Sequence, residues 1–180
     1  HINVFKTFEN YLKQFEIFID SIEKNGTLIY NESDKELNNL IKSNKSKLNY
    51  IPYSLPKYKI INGISFIDFN NHLYRLKIFG DHNLQNISGA LNICNALGVR
   101  SEDFFNAITS FNGASNRLEL VYKSSDSIIF KDFAHSPSKV KATTEAVRKQ
   151  FPNRKLISFF ELHTYSSLNP LFLEKYRDTL

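Results

Sequence analysis

The stretch "GDHNLQNISGALNICNALGVR", residues 80–100, decides how the chain reads. Leu84, Ile87, Leu91 and Cys94 recur at three- and four-residue steps, so the spacing predicts a helix from about 83 to 97, ended by Gly98. His82, Asn83 and Asn86 crowd its first turn, with Gly80 just ahead. Asn83 and Asn86 lie three apart and share one face of that turn. A side-chain amide both donates and accepts, which matches the edge of a purine. On the residues alone the other reading stays open: Asn83 caps the helix and Asn86 is exposed.

Outward from this helix the periodicity alternates between helix and strand. Upstream, "YKIINGISFIDFNNHLYRLKIFG" (58–80) holds β-rich runs separated by Asn62-Gly63 and Asn70-Asn71. Asn-Gly tolerates positive φ at both turn positions, so a three-stranded meander is expected. Earlier, Phe8, Tyr11, Leu12, Phe15, Phe18, Ile19 and Ile22 mark one face of a helix over 8–22, with Thr7 at its start and Gly26 beyond its end. "TLIYN" (27–31) reads as a buried strand, and Ser33 with Glu36 as a capping box for a helix near 34–43. Downstream, Ser101 caps a helix over 102–111, closed by Asn112-Gly113. "RLELVYK" and "SIIFKDF" read as strands, Ser136-Pro137 starts a helix, and "KLISFF" (155–160) reads as a continuous apolar strand before the polar loop "ELHTYSSLNP". The class is α/β, with a boundary near Gly113-Ala114 between two α/β units.

Composition narrows the function classes. A chain of 180 residues with 42% hydrophobic content can bury one or two cores. Lys+Arg exceed Asp+Glu by 23 − 18 = 5, and they are scattered, which favours an anionic ligand such as a nucleotide over a nucleic-acid stripe. The lone cysteine, Cys94, cannot form an internal disulfide, which points to a reducing compartment, and it reads as a small core side chain. No apolar run approaches the ~20 residues of a membrane helix. The sequence contains no Met, begins at His1 and stops inside the helical pattern "FLEKYRDTL", so it reads as a piece cut at both ends.

The polar residues at element ends are those that packing does not explain. Arg117 opens a strand after "NGASN"; its planar guanidinium suits bidentate phosphate contact, although a lone arginine also reads as surface. Asp132 ends "SIIFKDF" and is followed by Ala134, His135 and the helix start at Ser136-Pro137. A carboxylate there can take ribose hydroxyls, and the adjacent helix N-terminus favours anions. Equally, Asp132 and Ser136 can merely cap the helix. His163 follows "FFE" in a loop position that suits a ligand; His72, in the meander, is assigned to the surface.

Taken in order, Gly80-Asp-His82-Asn83-Leu-Gln-Asn86, Arg117-Leu-Glu119 and Asp132-Phe-Ala-His135-Ser-Pro137 resemble the Mur ligase family, ATP-dependent ligases that build the peptidoglycan peptide. The segment "HINVFKTFENYLKQFEIFIDSI" looks like the one that follows the family's Asp-His metal motif, so the resemblance covers essentially the whole chain. It implies an α/β fold: the C-terminal part of a central ATPase domain with a small meander (1–113), then the truncated start of a Rossmann-like ligase domain (114–180). It implies that Asn83 and Asn86 flank or bond adenine, that Arg117 contacts ATP phosphates, that Asp132 holds the ribose, and that His1 helps hold Mg²⁺. His135 and the loop residues His163, Ser166 and Ser167 would face the cleft and the incoming amine, with Arg117 and His135 as the catalytic pair. His82 would be a structural member of its turn.

The implied reaction activates the carboxylate of UDP-N-acetylmuramate as an acyl phosphate, which the amine then attacks, in a bacterial cytoplasm. Two branches of the family spell these motifs most closely. The one taking murein tripeptide is preferred on "KDFAH" and the Glu of "FFE"; the other takes L-alanine. The Gly-rich phosphate loop is absent, so the fragment alone is expected to be inactive. Asn3 stands where many relatives have Asp. Folylpolyglutamate synthetase-like chemistry and a non-catalytic nucleotide-binding module are the competing readings. No membrane or nucleic-acid partner is expected.

Overall fold

The computed structural model describes residues 4–162, 164, 167 and 169–180. The chain forms two compact units, His1–Pro56 with Gln85–Phe104, and Lys57–Leu84 with Phe105–Leu180.

In the first unit, α1 (Phe8–Asp20) starts where expected, because the Thr7 hydroxyl accepts from the Asn10 N–H at 3.2 Å. Two strands, β1 (Thr27–Asn31) and β2 (Asn49–Tyr53), pair in parallel, with Leu28 opposite Tyr50 and Ile29 opposite Ile51. The crossover between them is α2 (Lys35–Ser43), which makes a βαβ unit. The cap of α2 is Asp34 rather than Ser33: its carboxylate accepts from Leu37 N–H at 3.0 Å. The reason is one residue upstream, where the Asn31 side chain accepts from Ser33 N–H at 3.0 Å and holds Ser33 in the preceding turn. The sequence reading had missed β2, which contains Pro52. Proline sits in a strand only at an edge, and each strand of a two-stranded sheet has one.

Helix α3 (Asp81–Ala96) begins in the second unit and runs into the first. Within the first unit its backbone at Gly89 lies on the Tyr53 ring, where a Cβ would come to 3.1 Å. After Gly98 (φ +84°), α4 (Ser101–Ile108) is shorter than the expected 102–111.

The second unit contains the meander. Strands β3 (Tyr58–Ile61), β4 (Ile64–Phe69) and β5 (His72–Arg75) pair antiparallel. Asn62 and Gly63 have φ of 51° and 72°, Asn70 and Asn71 51° and 63°, the positive pairs that two-residue hairpin turns demand. Alternation buries Ser65, Ile67 and Tyr74, and Tyr74 stacks on Phe105 at 4.9 Å. Strands β6 (Glu119–Lys123) and β7 (Ile128–Lys131) form an antiparallel hairpin with a bulge at Leu120/Tyr122. Helix α5 (Pro137–Gln150) follows, with Pro at its first positions. Its Ala146 joins Phe79 and Leu118 in a core flanked by Phe130, Val147 and Phe151. The rings of Phe79, Phe130 and Phe151 lie 5.1–5.9 Å apart, at edge and stacked geometries. The chain closes with a single turn, α6 (Pro170–Leu173), and a 3₁₀ turn.

"KLISFF" is not a strand. Residues 155–160 carry no ladder, and Ile157 and Phe159 are 81% and 99% exposed. A continuous apolar run supplies side chains that want burial, but a strand is also a pairing, and no described strand pairs with it. The parallel strand–helix–strand unit expected at 127–160 is therefore absent among the described residues.

Among the glycines of the second unit, Gly80 at the entry to α3 has the least room. Gly80 has φ +93°, and a Cβ placed there would come within 2.8 Å of the Ala146 Cβ. Gly98 shares the positive φ but has open space around it. Gly80→Ala is expected to cost about 2–4 kcal/mol, strain plus clash, and Gly98→Ala only about 1 kcal/mol of strain. Urea unfolding midpoints of the two variants check the difference.

Candidate functional site

The opening turn of α3 combines three polar residues that behave differently. Asp81 accepts from the Tyr58 hydroxyl at 2.5 Å and from Lys149 Nζ at 3.1 and 3.0 Å, and the Lys149 ammonium also sits 5.0 Å from the Tyr58 ring centroid. Burial acts to raise the Asp81 pKa, but the bonds from Tyr58 and Lys149, with the Lys149 charge, outweigh it, and the carboxyl lies below its ordinary range. The hydrogen bond with Tyr58 acts first to push the Lys149 pKa up. Asn83 is half-buried and donates its amide to the Phe79 carbonyl at 2.8 Å, a local bond that steadies the turn. Asn86 is exposed, with no protein hydrogen bond among the described residues.

His82 faces the β6–β7 side. Burial lowers its pKa; Asp132 and Asp81 push it back up, and Arg117 pushes it down again. The net shift is downward, so the ring is neutral at pH 7. The same interactions show that the structure brings His82, Arg117 and Asp132 into one electrostatic neighbourhood, although 35 or more residues separate His82 from the other two.

Asp132, just past β7, is heavily engaged. Its carboxylate accepts from Leu118 N–H at 2.8 Å, Ala134 N–H at 2.7 Å and the Thr143 hydroxyl at 3.3 Å. It ties the start of β6 and the loop before α5 to the helix itself. Ser136 holds the cap position of α5 without a side-chain cap bond. Arg117 differs: it is exposed, and its guanidinium has no protein hydrogen bond among the described residues. Five donors in a planar fork are free for an anion. His135 donates Nδ1–H to the Phe133 carbonyl at 3.0 Å, since a carbonyl only accepts, and this leaves Nε2 as an acceptor. Ser167 is buried and exchanges hydrogen bonds with Thr164, including 2.7 Å to its carbonyl. His72 is exposed against Tyr74. His1, His163 and Ser166 lie outside the described residues.

In the second unit Arg117 offers a planar fork for an anion, and Asp132 retains lone-pair capacity beyond its three donors. For a metal the described residues supply no group of three or more His, Cys, Asp and Glu. Tyr58, Lys149 and the buried Gln150 were missed by sequence reasoning; on a helix and a strand they carry no local signal, and only tertiary contact reveals them.

The chain is similar to known proteins. Residues 1–94 match the Mur ligase middle domain, more than half of the chain. The chain is 31% identical to the UDP-N-acetylmuramate–L-alanine ligase of Sulfurihydrogenibium sp. (strain YO3AOP1), over 97% of its own length and 40% of the relative's. Among solved structures it is similar to the UDP-N-acetylmuramate–alanine ligase of Thermotoga maritima, with a TM-score of 0.63 and 16% identity over 85% of this chain and 36% of that one. It is also similar to a murein peptide ligase from Psychrobacter arcticus, with a TM-score of 0.56 and 19% identity over 87% and 37%. The chain belongs to the Mur ligase family, and its α/β fold is that of the family's middle domain. It spans about two fifths of the length of the curated relatives it matches.

His82 makes stability sensitive to pH. An unfolded histidine takes up a proton near pH 6.5, whereas folded His82 resists it. The unfolded state therefore binds more protons through this window, and the stability present above about pH 6.5 is lost on acidification. His82→Gln is expected to flatten the fall in stability between about pH 7.5 and 5.5, as denaturant titrations at each pH will read.

Proposed function

We propose that this chain is the nucleotide-handling part of an ATP-dependent UDP-N-acetylmuramate–L-alanine ligase. The observation that carries this reading is the match along 97% of the chain, at 31% identity, to a curated protein of that name. The likeness to a murein peptide ligase is one of fold, so murein tripeptide, favoured by "KDFAH" and "FFE", becomes the second arm of the test. Likeness to folylpolyglutamate synthetase is also one of fold.

In this reading the muramate carboxylate attacks the γ-phosphate of ATP. An acyl phosphate forms and ADP leaves; the amine of alanine then attacks the acyl carbon and releases phosphate. Catalysis is positioning and charge neutralisation. The exposed Arg117 guanidinium binds phosphate oxygens as charge builds there, Asn86 and the remaining capacity of Asn83 meet adenine, and Asp132 turns its unspent lone pairs to the ribose. His135, with Nδ1 committed, presents Nε2 as an acceptor toward the incoming amine. His163, Ser166 and Ser167 belong to the amine side. Mg²⁺ supplies charge neutralisation when bound, with His1 among its holders. The expected boundary at 113–114 lies within the second compact unit, where Gly113 has φ +93°. The reading places the reaction in the bacterial cytoplasm.

The full-length protein carrying this chain is expected to release phosphate from ATP only with UDP-N-acetylmuramate plus L-alanine. Turnover with murein tripeptide alone selects the other branch, and no turnover with either amine refutes the ligase reading. In the same assay Arg117→Ala should raise the ATP KM about tenfold or more, with Arg117→Lys recovering only part, since a point charge cannot reproduce a bidentate fork. An unchanged KM removes Arg117 from the phosphate role.

A further inference from the structure

In an Asn-Gly pair the side-chain amide meets the next backbone nitrogen with no Cβ in the way, and the chain holds three such pairs: Asn25-Gly26, Asn62-Gly63 and Asn112-Gly113. All three asparagines are exposed. To close a succinimide ring, the Asn Cγ and the following nitrogen must rotate onto the same side of the bond between them. The hydrogen bonds that pin that peptide therefore decide which pair can react. Asn25-Gly26 is pinned throughout. Asn25 N–H donates to the Lys47 carbonyl, its own carbonyl accepts from the Asn49 amide, and Gly26 N–H donates to the Glu23 carbonyl, each at 2.8 Å. Asn62-Gly63 is a hairpin turn closed by the Ile61–Ile64 pair, and its Gly63 carbonyl accepts from Gln150 Nε2 at 2.8 Å. Asn112-Gly113 differs. Residues 111–114 lie outside helix and strand, and neither the Asn112 carbonyl nor the Gly113 N–H has a hydrogen bond among the described residues. The Asn112 side chain has one partner there: Lys77 Nζ donates to its Oδ1 at 3.0 Å.

We propose that Asn112 is a deamidation site and that the Lys77 ammonium assists the step. The Gly113 nitrogen loses its proton to solvent base and attacks the Asn112 Cγ. A C–N bond forms, and negative charge gathers on Oδ1. Lys77 is already bonded to that oxygen, and a charge-assisted bond strengthens as charge develops there. The tetrahedral intermediate collapses, the Cγ–Nδ2 bond breaks, and the amide nitrogen takes a proton from water and leaves as ammonia. Water then opens the succinimide. Opening at Cγ leaves aspartate at 112; opening at the main-chain carbonyl leaves isoaspartate. Overall one water is consumed and one ammonia released, with no change of oxidation state. Aspartate places a carboxylate beside Lys77, so a neutral acceptor becomes half of an ion pair. Isoaspartate routes the main chain through the side chain and adds a methylene between α4 and Arg117.

The test ages the folded full-length protein in mildly alkaline buffer. Peptide mass mapping follows the amide-to-acid mass change at residues 25, 62 and 112, and chromatography separates aspartate from isoaspartate. Residue 112 is expected to convert about fivefold faster than 25 and 62, or more, since those pairs must first leave their hydrogen-bonded turns. In guanidinium chloride the restraints are gone and the three rates should converge. Lys77→Met, at an exposed position, should slow conversion at 112 about threefold in the folded protein, the scale of an exposed charge contact, and Lys77→Arg should restore it. Conversion at 112 no faster than at 25 or 62 in the folded protein overturns the site. A lead for 112 that persists in guanidinium chloride overturns its structural origin, and an unchanged folded rate in Lys77→Met overturns the assistance.

Discussion

Everything around the candidate site depends on how closely α5 approaches two backbone positions that carry no side chain. Ala146 occupies the space a residue at 80 would need, and Phe151 that of a residue at 63. Both glycines also have positive φ, because one leads into α3 and the other completes a hairpin turn. The conformations that the turns demand and the flat surface that the helix demands are met by the same residue type at the same places. Once α5 is seated, the rest is determined. Gln150 arrives at Gly63 and Ser65, Lys149 arrives at Asp81, and the loop before the helix is tied by Asp132 to Leu118 and Ala134. Arg117 is carried along by its neighbour Leu118, and so comes within electrostatic reach of His82.

Those elements whose determinants are local were legible in the sequence. Asn62-Gly63 and Asn70-Asn71 announce the meander because positive φ is a property of the residues themselves. Thr7 and Pro137 announce helix starts for the same kind of reason. Where two local signals compete the sequence is poorer: Asn31 claims Ser33 and leaves the cap of α2 to Asp34. "KLISFF" fails differently, because its strand character depends on a neighbour that its own residues cannot specify. The seat of Gln150 was invisible for a third reason. Gln150 follows Arg148 and Lys149 at the end of a polar helix and reads as surface; its burial against Ser65, 85 residues away, is purely tertiary.

For the site, hydrogen-bonding capacity separates what builds from what binds. Asn83 spends its amide on Phe79, Asp132 accepts three protein donors, and Asp81 is shared between Tyr58 and Lys149. Each of these satisfies a group that would otherwise be costly to leave unpaired, and each fixes geometry. Arg117 and Asn86 spend nothing on the protein among the described residues. A guanidinium held beside a neutral imidazole, rather than a carboxylate of its own, keeps its charge for a ligand. The two readings left open by the sequence, cap or ligand contact, are therefore not exclusive. Asn83 steadies the turn through Phe79, and Asp132 fixes Leu118, the neighbour of Arg117.

This division of labour explains why a lowered His82 pKa matters beyond stability. Were the ring charged at neutral pH, it would repel the Arg117 guanidinium and neutralise part of the field Asp132 and Asp81 create around it. Burial keeps it neutral, so Arg117 meets no competing cation from this ring. Among the described residues neither carboxylate ion-pairs the guanidinium: Asp132 is committed to backbone N–H groups and Asp81 to Lys149. In the proposed ligase, a phosphate that enters then offers Arg117 a better partner than any the protein has given it. That is the condition for an arginine whose binding energy is realised on the ligand rather than in the fold.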